Sequence, residues 1–203
     1  MKTERLSGDI GAPGRGYGVV AIATSAGGLQ ALGEILSRLD STFPVPILVV
    51  QHLSRTRTSI MAEILGKKTG LGVKQAEDGE AIVPGCVYTA PSNFHLLVNP
   101  DQTLSLTSTD LVHFVRPSAD LLFASVAASF GPRAIAVVAT GNGLDGAAGV
   151  QAIKGSEGVV IVQDELSSEF FGMPGAAIDT GDVDFIVPLT EIAALLTRLV
   201  SAA

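Results

Sequence analysis

The feature that most constrains the fold is an apolar run at residues 18–23, which ends at a polar turn containing Ser25. Continuously apolar runs of this length are typical of parallel strands whose two faces are both covered. After two glycines, leucines recur at the three- and four-residue spacing that predicts one apolar helix face: Leu29, Leu32, Leu36 and Leu39. The pattern therefore places Ser25 between a buried strand and the amino terminus of a helix.

Two interpretations of Ser25 are open at this point. A turn between a strand and a helix is where α/β enzymes expose a nucleophile, because free N–H groups and the helix dipole favour nearby negative charge. A serine before a helix is also a common N-cap, with a purely structural role. This stretch alone does not decide between them.

The same alternation continues along the chain. Further buried strands are predicted at residues 47–50, 134–138 and 158–162, with a weaker one at 73–76 and a short last one at 184–187. Helical spacing covers residues 58–68, 116–130 and 191–200. Strands that alternate with helices in this way predict an α/β fold: a three-layer α/β/α sandwich around a mostly parallel, doubly wound sheet.

The middle of the chain, residues 79–107, has a different pattern. Pro-Gly and Asn-Pro turn signals separate three short runs at 86–90, 94–98 and 103–107, which together predict an antiparallel hairpin region. His95 lies in one of these runs. A histidine in an otherwise apolar strand is usually a satisfied core or rim residue.

Composition excludes several classes of function. Only 13 Lys and Arg residues stand against 20 Asp and Glu, so a basic nucleic-acid surface is not expected. No apolar run reaches the roughly 18 residues of a membrane span, and the first residues lack a signal-peptide core. The single Cys86 excludes an internal disulfide and fits the cytoplasm, where we place the protein. The few His and Cys residues show no metal-site spacing, so we expect neither metal nor cofactor.

We therefore predict two segments. Residues 1–17 form a flexible, polar N-terminal tail, and residues 18–203 form a single domain.

Polar side chains follow three of the predicted strands: Ser25, His52 and, within a glycine-rich loop, Asp145. Because the carboxyl ends of parallel strands meet at one edge of a sheet, these residues could converge there as a nucleophilic triad. The α/β-hydrolase superfamily is disfavoured, because its triad order is Ser, Asp, His and its serine lies in Gly-x-Ser-x-Gly.

Two other functions compete with a hydrolase. Residues 141–146 match Gly-x-Gly-x-x-Gly after a strand, and the next strand ends at Asp164, as in dinucleotide-binding folds. A non-enzymatic binding module could also use the same edge. Residue types and spacing leave all three possibilities open.

Several motifs in one order make the sequence resemble the catalytic domain of the chemotaxis protein-glutamate methylesterases (CheB family), from Val19 to about Leu189. They are Ala-Thr-Ser25-Ala-Gly-Gly, Val-Val-Gln-His52, Tyr88-Thr-Ala-Pro-Ser-Asn-Phe-His95, Arg116-Pro-Ser-Ala-Asp120, Thr140-Gly-Asn-Gly-Leu-Asp145-Gly-Ala and residues 163–174. The resemblance disfavours the dinucleotide interpretation, since it implies that the glycine-rich loop carries the triad aspartate.

The resemblance implies hydrolysis of glutamate γ-methyl esters on the cytoplasmic helices of methyl-accepting chemotaxis receptors, with release of methanol. Some members also deamidate receptor glutamines. By position, Ser25 resembles the nucleophile, His52 the general base and Asp145 the residue that orients the base. His95 matches a position near the active-site cleft, where we expect a positioning residue rather than the base.

The chain also departs from the family pattern. Ala26 and Asn142 occupy oxyanion-site positions where the family commonly has Thr and Met, and Thr24 replaces a small residue. Backbone N–H donors survive these changes, so the oxyanion hole is not lost in principle. The alternative is a catalytically weak homologue that binds a signalling protein.

The tail at residues 1–17 is too short for the receiver domain that family members usually carry in front. A stand-alone or truncated esterase domain is therefore expected. A separate response regulator or other signalling protein is a further candidate partner.

Overall fold

Seven parallel strands form the central sheet of the computed structural model, which describes residues 16–52 and 60–201. In the order in which they lie across the sheet they are β3 (Gly72–Gln75), β4 (Cys86–Thr89), β2 (Ile47–Gln51), β1 (Val19–Thr24), β7 (Ala134–Val138), β8 (Val159–Gln163) and β9 (Phe185–Val187). Two further strands, β5 (His95–Val98) and β6 (Leu104–Thr107), pair antiparallel with each other.

Helices cover both faces of the sheet. Side chains of α1 (Gly28–Ser37), α2 (Met61–Gly66) and α6 (Leu189–Ser201) share one core with Val20 and Ile22. Those of α3 (Ala119–Phe130), α4 (Ala147–Gly155) and α5 (Gly172–Asp179) share the other with Ala21 and Ala23. Successive β1 residues thus enter opposite cores, which explains why its run is apolar throughout and confirms the predicted three-layer α/β/α sandwich.

None of these helices, within the ranges just given, is long and apolar enough to cross a membrane.

The hairpin prediction for residues 79–107 is correct in one part and wrong in another. β5 and β6 form the expected antiparallel pair, with His95 opposite Thr107. The run at 86–90 instead becomes β4, which lies between β2 and β3 and is parallel to both. Val87 and Tyr88 face opposite cores and are 0% and 2% exposed, so this strand needs cover on both faces, which a surface hairpin does not provide.

The start of α1 overturns the capping interpretation of Ser25. The N-cap of this helix is Gly27, in the left-handed conformation at φ 76°, and no side chain caps it. Of the predicted tail, residues 1–15 lie outside the described residues, whereas Tyr17 packs into the α1 core. The predicted 58–68 helix is shorter, at Met61–Gly66, and its residues 58–59 are not among those described.

The strand order reverses at the junction of β1 and β7. Successive strands are added on one side of β1 up to β4, and β7 then lies on its other side. In open α/β sheets the carboxyl edge at such a reversal is where ligands bind. Ser25 follows β1 and the glycine-rich loop follows β7, so both emerge at this point.

We expect Gly149→Ala to destabilise the protein by about 1–3 kcal/mol, because a methyl group there overpacks the core. A Cβ at Gly149 would lie 2.6 Å from the Cβ of the buried Phe123, on the helix packed against α4. Urea unfolding measures the loss. Gly155→Ala in the same helix is the control, since a Cβ there meets nothing within 4 Å. A similar loss in both variants would show that the α3–α4 contact is not the cause.

Candidate active site

The centre of the site is the carboxylate of Asp145, which is only 3% exposed. Its Oδ2 accepts hydrogen bonds from His52 Nε2 at 2.8 Å and from the Ala119 backbone N–H at 2.6 Å. Its Oδ1 accepts from Ser118 Oγ at 2.7 Å and from the Asp120 N–H at 3.2 Å. Asp145 therefore sits over the amino terminus of α3, where the helix dipole favours negative charge.

These contacts keep Asp145 ionised. Burial by itself would raise the pKa of the carboxyl, but the hydrogen bonds from His52, Ala119 and Ser118 outweigh it, so the net pKa is lowered. A carboxylate only accepts hydrogen bonds, so His52 Nε2 must carry a proton and donate it. In the neutral ring, Nδ1 is then unprotonated and can accept a proton.

Strand register brings Ser25 beside His52. Thr24 pairs with Gln51 at the ends of β1 and β2, and the His52 N–H donates to the Thr24 carbonyl at 3.0 Å. The residues that follow this pair, Ser25 and His52, thus leave the sheet side by side. The Ser25 hydroxyl makes no hydrogen bond to His52 or to any other part of the chain within residues 16–52 and 60–201.

The amide of Gln51 ties these two residues together. Its Nε2 donates to the carbonyls of Ser25 at 2.6 Å and His52 at 3.0 Å, and its Oε1 accepts the Thr24 hydroxyl. Gly28 faces this group, and a Cβ there would lie 2.0 Å from Gln51 Oε1. Any larger residue at position 28 would therefore collide with the Gln51 side chain, which lies under the start of α1.

The loop after β7 packs directly on the serine. A Cβ at Gly141 would lie 2.7 Å from the Ser25 Cβ, and the Ser25 N–H donates to the Thr140 carbonyl at 3.0 Å. On its other side the loop is covered by the start of α5, where a Cβ at Gly172 would lie 3.0 Å from the Gly143 nitrogen. A close contact within the chain thus accounts for Gly141, one of the glycines that had suggested a dinucleotide site, whereas Gly143 and Gly146 have positive φ angles of 99° and 106°.

Thr140 and Gln163 hold this loop to the segment after β8. The Thr140 hydroxyl donates to the Ala26 carbonyl at 3.0 Å and accepts the Phe170 N–H at 2.9 Å. Gln163 Oε1 accepts the Thr140 N–H at 2.8 Å. The three segments after β1, β7 and β8 are therefore cross-linked around Ser25.

Ala26 directly follows the serine in the chain, and Asn142 directly follows Gly141, which packs on the Ser25 side chain. Among the described residues, neither backbone N–H has a hydrogen-bond partner. Unpaired N–H groups beside a nucleophile are the donors from which oxyanion holes are built.

His95 is fully buried and does not contact Ser25 or His52 through a hydrogen bond. Its Nε2 donates to the Asp110 carbonyl at 3.0 Å, and its Nδ1 accepts the Ser118 N–H at 3.1 Å. Burial lowers the pKa of His95, and the nearby Arg116 charge lowers it further against the opposing effects of Asp110 and Asp145. These hydrogen bonds join His95 to the start of α3, whose backbone N–H groups also bind Asp145.

Four residues of the site had no role assigned in the sequence analysis: Gln51, Ser118, Thr140 and Gln163. Each is a polar residue at the end of a strand or the start of a helix, which is the only signal that could have singled them out. Within the described ranges, no group of three or more His, Cys, Asp or Glu side chains is arranged to hold a metal ion.

Comparison with known proteins gives consistent matches. The CheB methylesterase family model matches residues 20–196. A protein-glutamate methylesterase/protein-glutamine glutaminase of Paramagnetospirillum magneticum is 42% identical over 185 residues, which cover 89% of this chain and 49% of that protein. A putative one from Leptospira interrogans is 39% identical over 90% of this chain and 95% of its own length. The chain thus spans about half the length of the first relative and nearly all of the second.

One solved structure is similar to most of this chain. The CheB methylesterase catalytic domain of Thermotoga maritima superposes with a TM-score of 0.87 at 36% sequence identity, over 90% of this chain and 98% of that one.

We expect Asp145→Asn to destabilise the fold at pH 7 by about 1.5–3 kcal/mol, because an amide cannot accept all the hydrogen bonds that the carboxylate does. The pKa of Asp145 is lower in the folded state than its ordinary value of 3.8, so its contribution is complete above that pH. It is lost as the pH falls through the lower, folded value. Urea unfolding should therefore give a smaller difference between variant and wild type at pH 3 than at pH 7, and a difference independent of pH would contradict this account.

Proposed function

The chain belongs to the CheB methylesterase family, and on that premise we propose that it hydrolyses γ-methyl esters of glutamate side chains on the cytoplasmic helices of chemotaxis receptors. The observation that carries the proposal is the 2.8 Å hydrogen bond between His52 and the buried Asp145, beside a serine that follows the neighbouring strand. A serine, an imidazole and an oriented carboxylate are the parts of nucleophilic acyl transfer.

In the first half of the proposed reaction, His52 Nδ1 takes the proton of Ser25 Oγ as the oxygen attacks the ester carbonyl carbon. The oxygen of the tetrahedral intermediate accepts hydrogen bonds from the backbone N–H groups of Ala26 and Asn142. The intermediate then collapses, the C–O bond to the methoxy group breaks, and His52 returns the proton to that oxygen. Methanol leaves, and the glutamyl group remains as an ester on Ser25.

Water completes the cycle. His52 removes a proton from a water molecule, whose oxygen attacks the glutamyl ester, and the proton passes to Ser25 Oγ as that ester breaks. The products are a free glutamate side chain and the original hydroxyl. Asp145 stabilises the imidazolium that forms in each half. In the structure the Ser25 hydroxyl makes no hydrogen bond to His52. In unliganded enzymes the hydrogen bond between nucleophile and base is often long, and it shortens when substrate binds.

An amide has the same acyl centre as an ester, and the names of the relatives pair methylesterase with glutaminase. The proposed chemistry extends to glutamine by expelling ammonia in place of methanol. The departures at Ala26 and Asn142 affect side chains only, since the proposed oxyanion donors are backbone groups.

Ser25→Ala tests the mechanism. We expect methanol release from methylated receptor membranes to fall by at least about a thousandfold, because no other hydroxyl replaces the nucleophile. Ser37→Ala, on the exposed face of α1, is the matched control and should keep full activity. A fluorophosphonate probe should label the wild type and the control at Ser25, and should leave Ser25→Ala unlabelled.

Two outcomes would contradict the proposal in different ways. Methanol release that persists in Ser25→Ala would exclude the serine mechanism. A wild type that binds receptor membranes but releases no methanol would favour the binding-module alternative.

The segments that build the site also carry exposed apolar side chains. Leu166, Leu144 and Phe114 are 97%, 64% and 91% exposed, in the β8 loop, beside Asp145 and just before α3, respectively. Phe114 stands in a tight turn between Val112 and Val115 and has a φ of 64°. A left-handed aromatic residue costs backbone energy, which supports a docking role for Phe114 on the apolar surface of a receptor helix.

We expect Phe114→Ser to raise the KM for methylated receptor by about tenfold, the loss of ~1.4 kcal/mol of apolar contact. Hydrolysis of p-nitrophenyl acetate, which is too small to reach Phe114, should be unchanged. Val83→Ser is the control. Val83 is 51% exposed, but it comes before β4 in the chain, whereas the residues of the site follow the carboxyl ends of their strands. Equal KM values for the wild type and Phe114→Ser would exclude docking through this residue.

A further inference from the structure

The carboxylate of Asp120, in the first turn of α3, sits at the start of the next helix, α4. Its Oδ1 accepts the backbone N–H groups of Gly146 at 2.9 Å and Gly149 at 2.7 Å. Gly146 is the N-cap of α4 and has no side chain to perform this role itself. Asp120 is 8% exposed, and both glycines are buried, so these amide groups have no access to water as an alternative partner.

Asp145 makes the reciprocal contact. It immediately precedes Gly146 in the chain, and it accepts the N–H groups of Ala119 and Asp120 at the start of α3. Each helix start therefore receives a carboxylate from the other. The N–H of Asp120 binds Asp145, while the side chain of Asp120 binds the residue that follows Asp145.

This exchange leaves Asp145 little freedom. A shift of Asp145 relative to α3 would break the contact of Asp120 with Gly146 as well as its own contacts with Ala119 and Asp120. Close packing between the two helices at Gly149 and Phe123 opposes any shift of α4 as a whole.

We propose that Asp120 is a positioning residue: by capping α4 it fixes Asp145, and through Asp145 it fixes the ring of His52. The proposal rests on the proposed function, in which His52 is the base. It requires hydrogen-bond acceptance at the Oδ1 position and not negative charge, because the two partners there are neutral N–H groups. The other oxygen, Oδ2, accepts from the half-exposed His113 at 3.1 Å, a contact that water can replace.

Two substitutions separate position from charge. Asp120→Asn keeps an acceptor oxygen in place and removes the charge, so kcat for methyl-ester hydrolysis should stay within about threefold of wild type. Asp120→Glu keeps the charge but is one methylene longer, so it displaces the acceptor. We expect it to lower kcat by at least about tenfold with KM within about twofold, since small displacements of catalytic groups reduce the rate steeply.

Asp184 provides the matched control. Its carboxylate also accepts one backbone N–H, from Val160 at 2.8 Å, and one side chain, Lys154 at 2.7 Å, but it precedes β9 at the sheet edge opposite the site. Asp184→Asn and Asp184→Glu should leave kcat unchanged even where they lower the melting temperature. A fall in kcat that follows melting temperature in both pairs would reduce Asp120 to a structural role and overturn the proposal.

A readout independent of activity is the His52 Nε2 proton, which is hydrogen-bonded to Asp145 and observable in ¹⁵N-histidine-labelled protein. Its resonance should remain in Asp120→Asn and move upfield or be lost by exchange in Asp120→Glu. A folded Asp120→Glu with wild-type kcat and an unmoved resonance would overturn the inference. If the wild type itself hydrolyses no ester, the proposed function fails, and the resonance alone still decides whether Asp120 positions Asp145.

Discussion

The arrangement of this protein depends on one buried negative charge, the carboxylate of Asp145. Removing a carboxylate from water is unfavourable unless hydrogen bonds replace the lost hydration. Here four donors do so: His52, Ser118 and two backbone N–H groups at the start of α3. The charge can therefore be kept in the interior only if β2, β7 and α3 all end or begin within a few ångströms of one another, and the sheet order produces that arrangement.

The residues with recognisable chemistry were predictable because strand ends are visible in the sequence. Apolar runs stop at Thr24, at Gln51 and before the glycine-rich loop, and parallel strands place their ends on one edge. The orientation of β4 was not predictable, because a short apolar run fits an edge hairpin and a central strand equally well. Its two buried faces became evident only once β2 and β3 were placed on either side of it.

Local patterns mark the supporting residues only as polar groups near strand ends or helix starts and do not show which residues they bind, because their partners are distant in the chain. Gln51 acts on Ser25, 26 positions earlier, and Ser118 acts on Asp145, 27 positions later. His95 was expected near the cleft as a positioning residue, and its forced tautomer beside Ser118 is consistent with that role, which stays a prediction. Local sequence indicates which residues could react, whereas only the assembled fold shows which residues hydrogen-bond to them and fix their positions.

The glycines show how the site is assembled from backbone groups. A Cβ at Gly141 would collide with Ser25 and one at Gly28 with Gln51, so main chain rather than side chains packs against the serine and against the glutamine that supports it. A turn lined by main chain offers N–H groups whose placement does not depend on the residue type. The proposed oxyanion donors at Ala26 and Asn142 therefore depend on the main chain and not on the side chains at these positions, and the steric constraint falls on the neighbouring glycines.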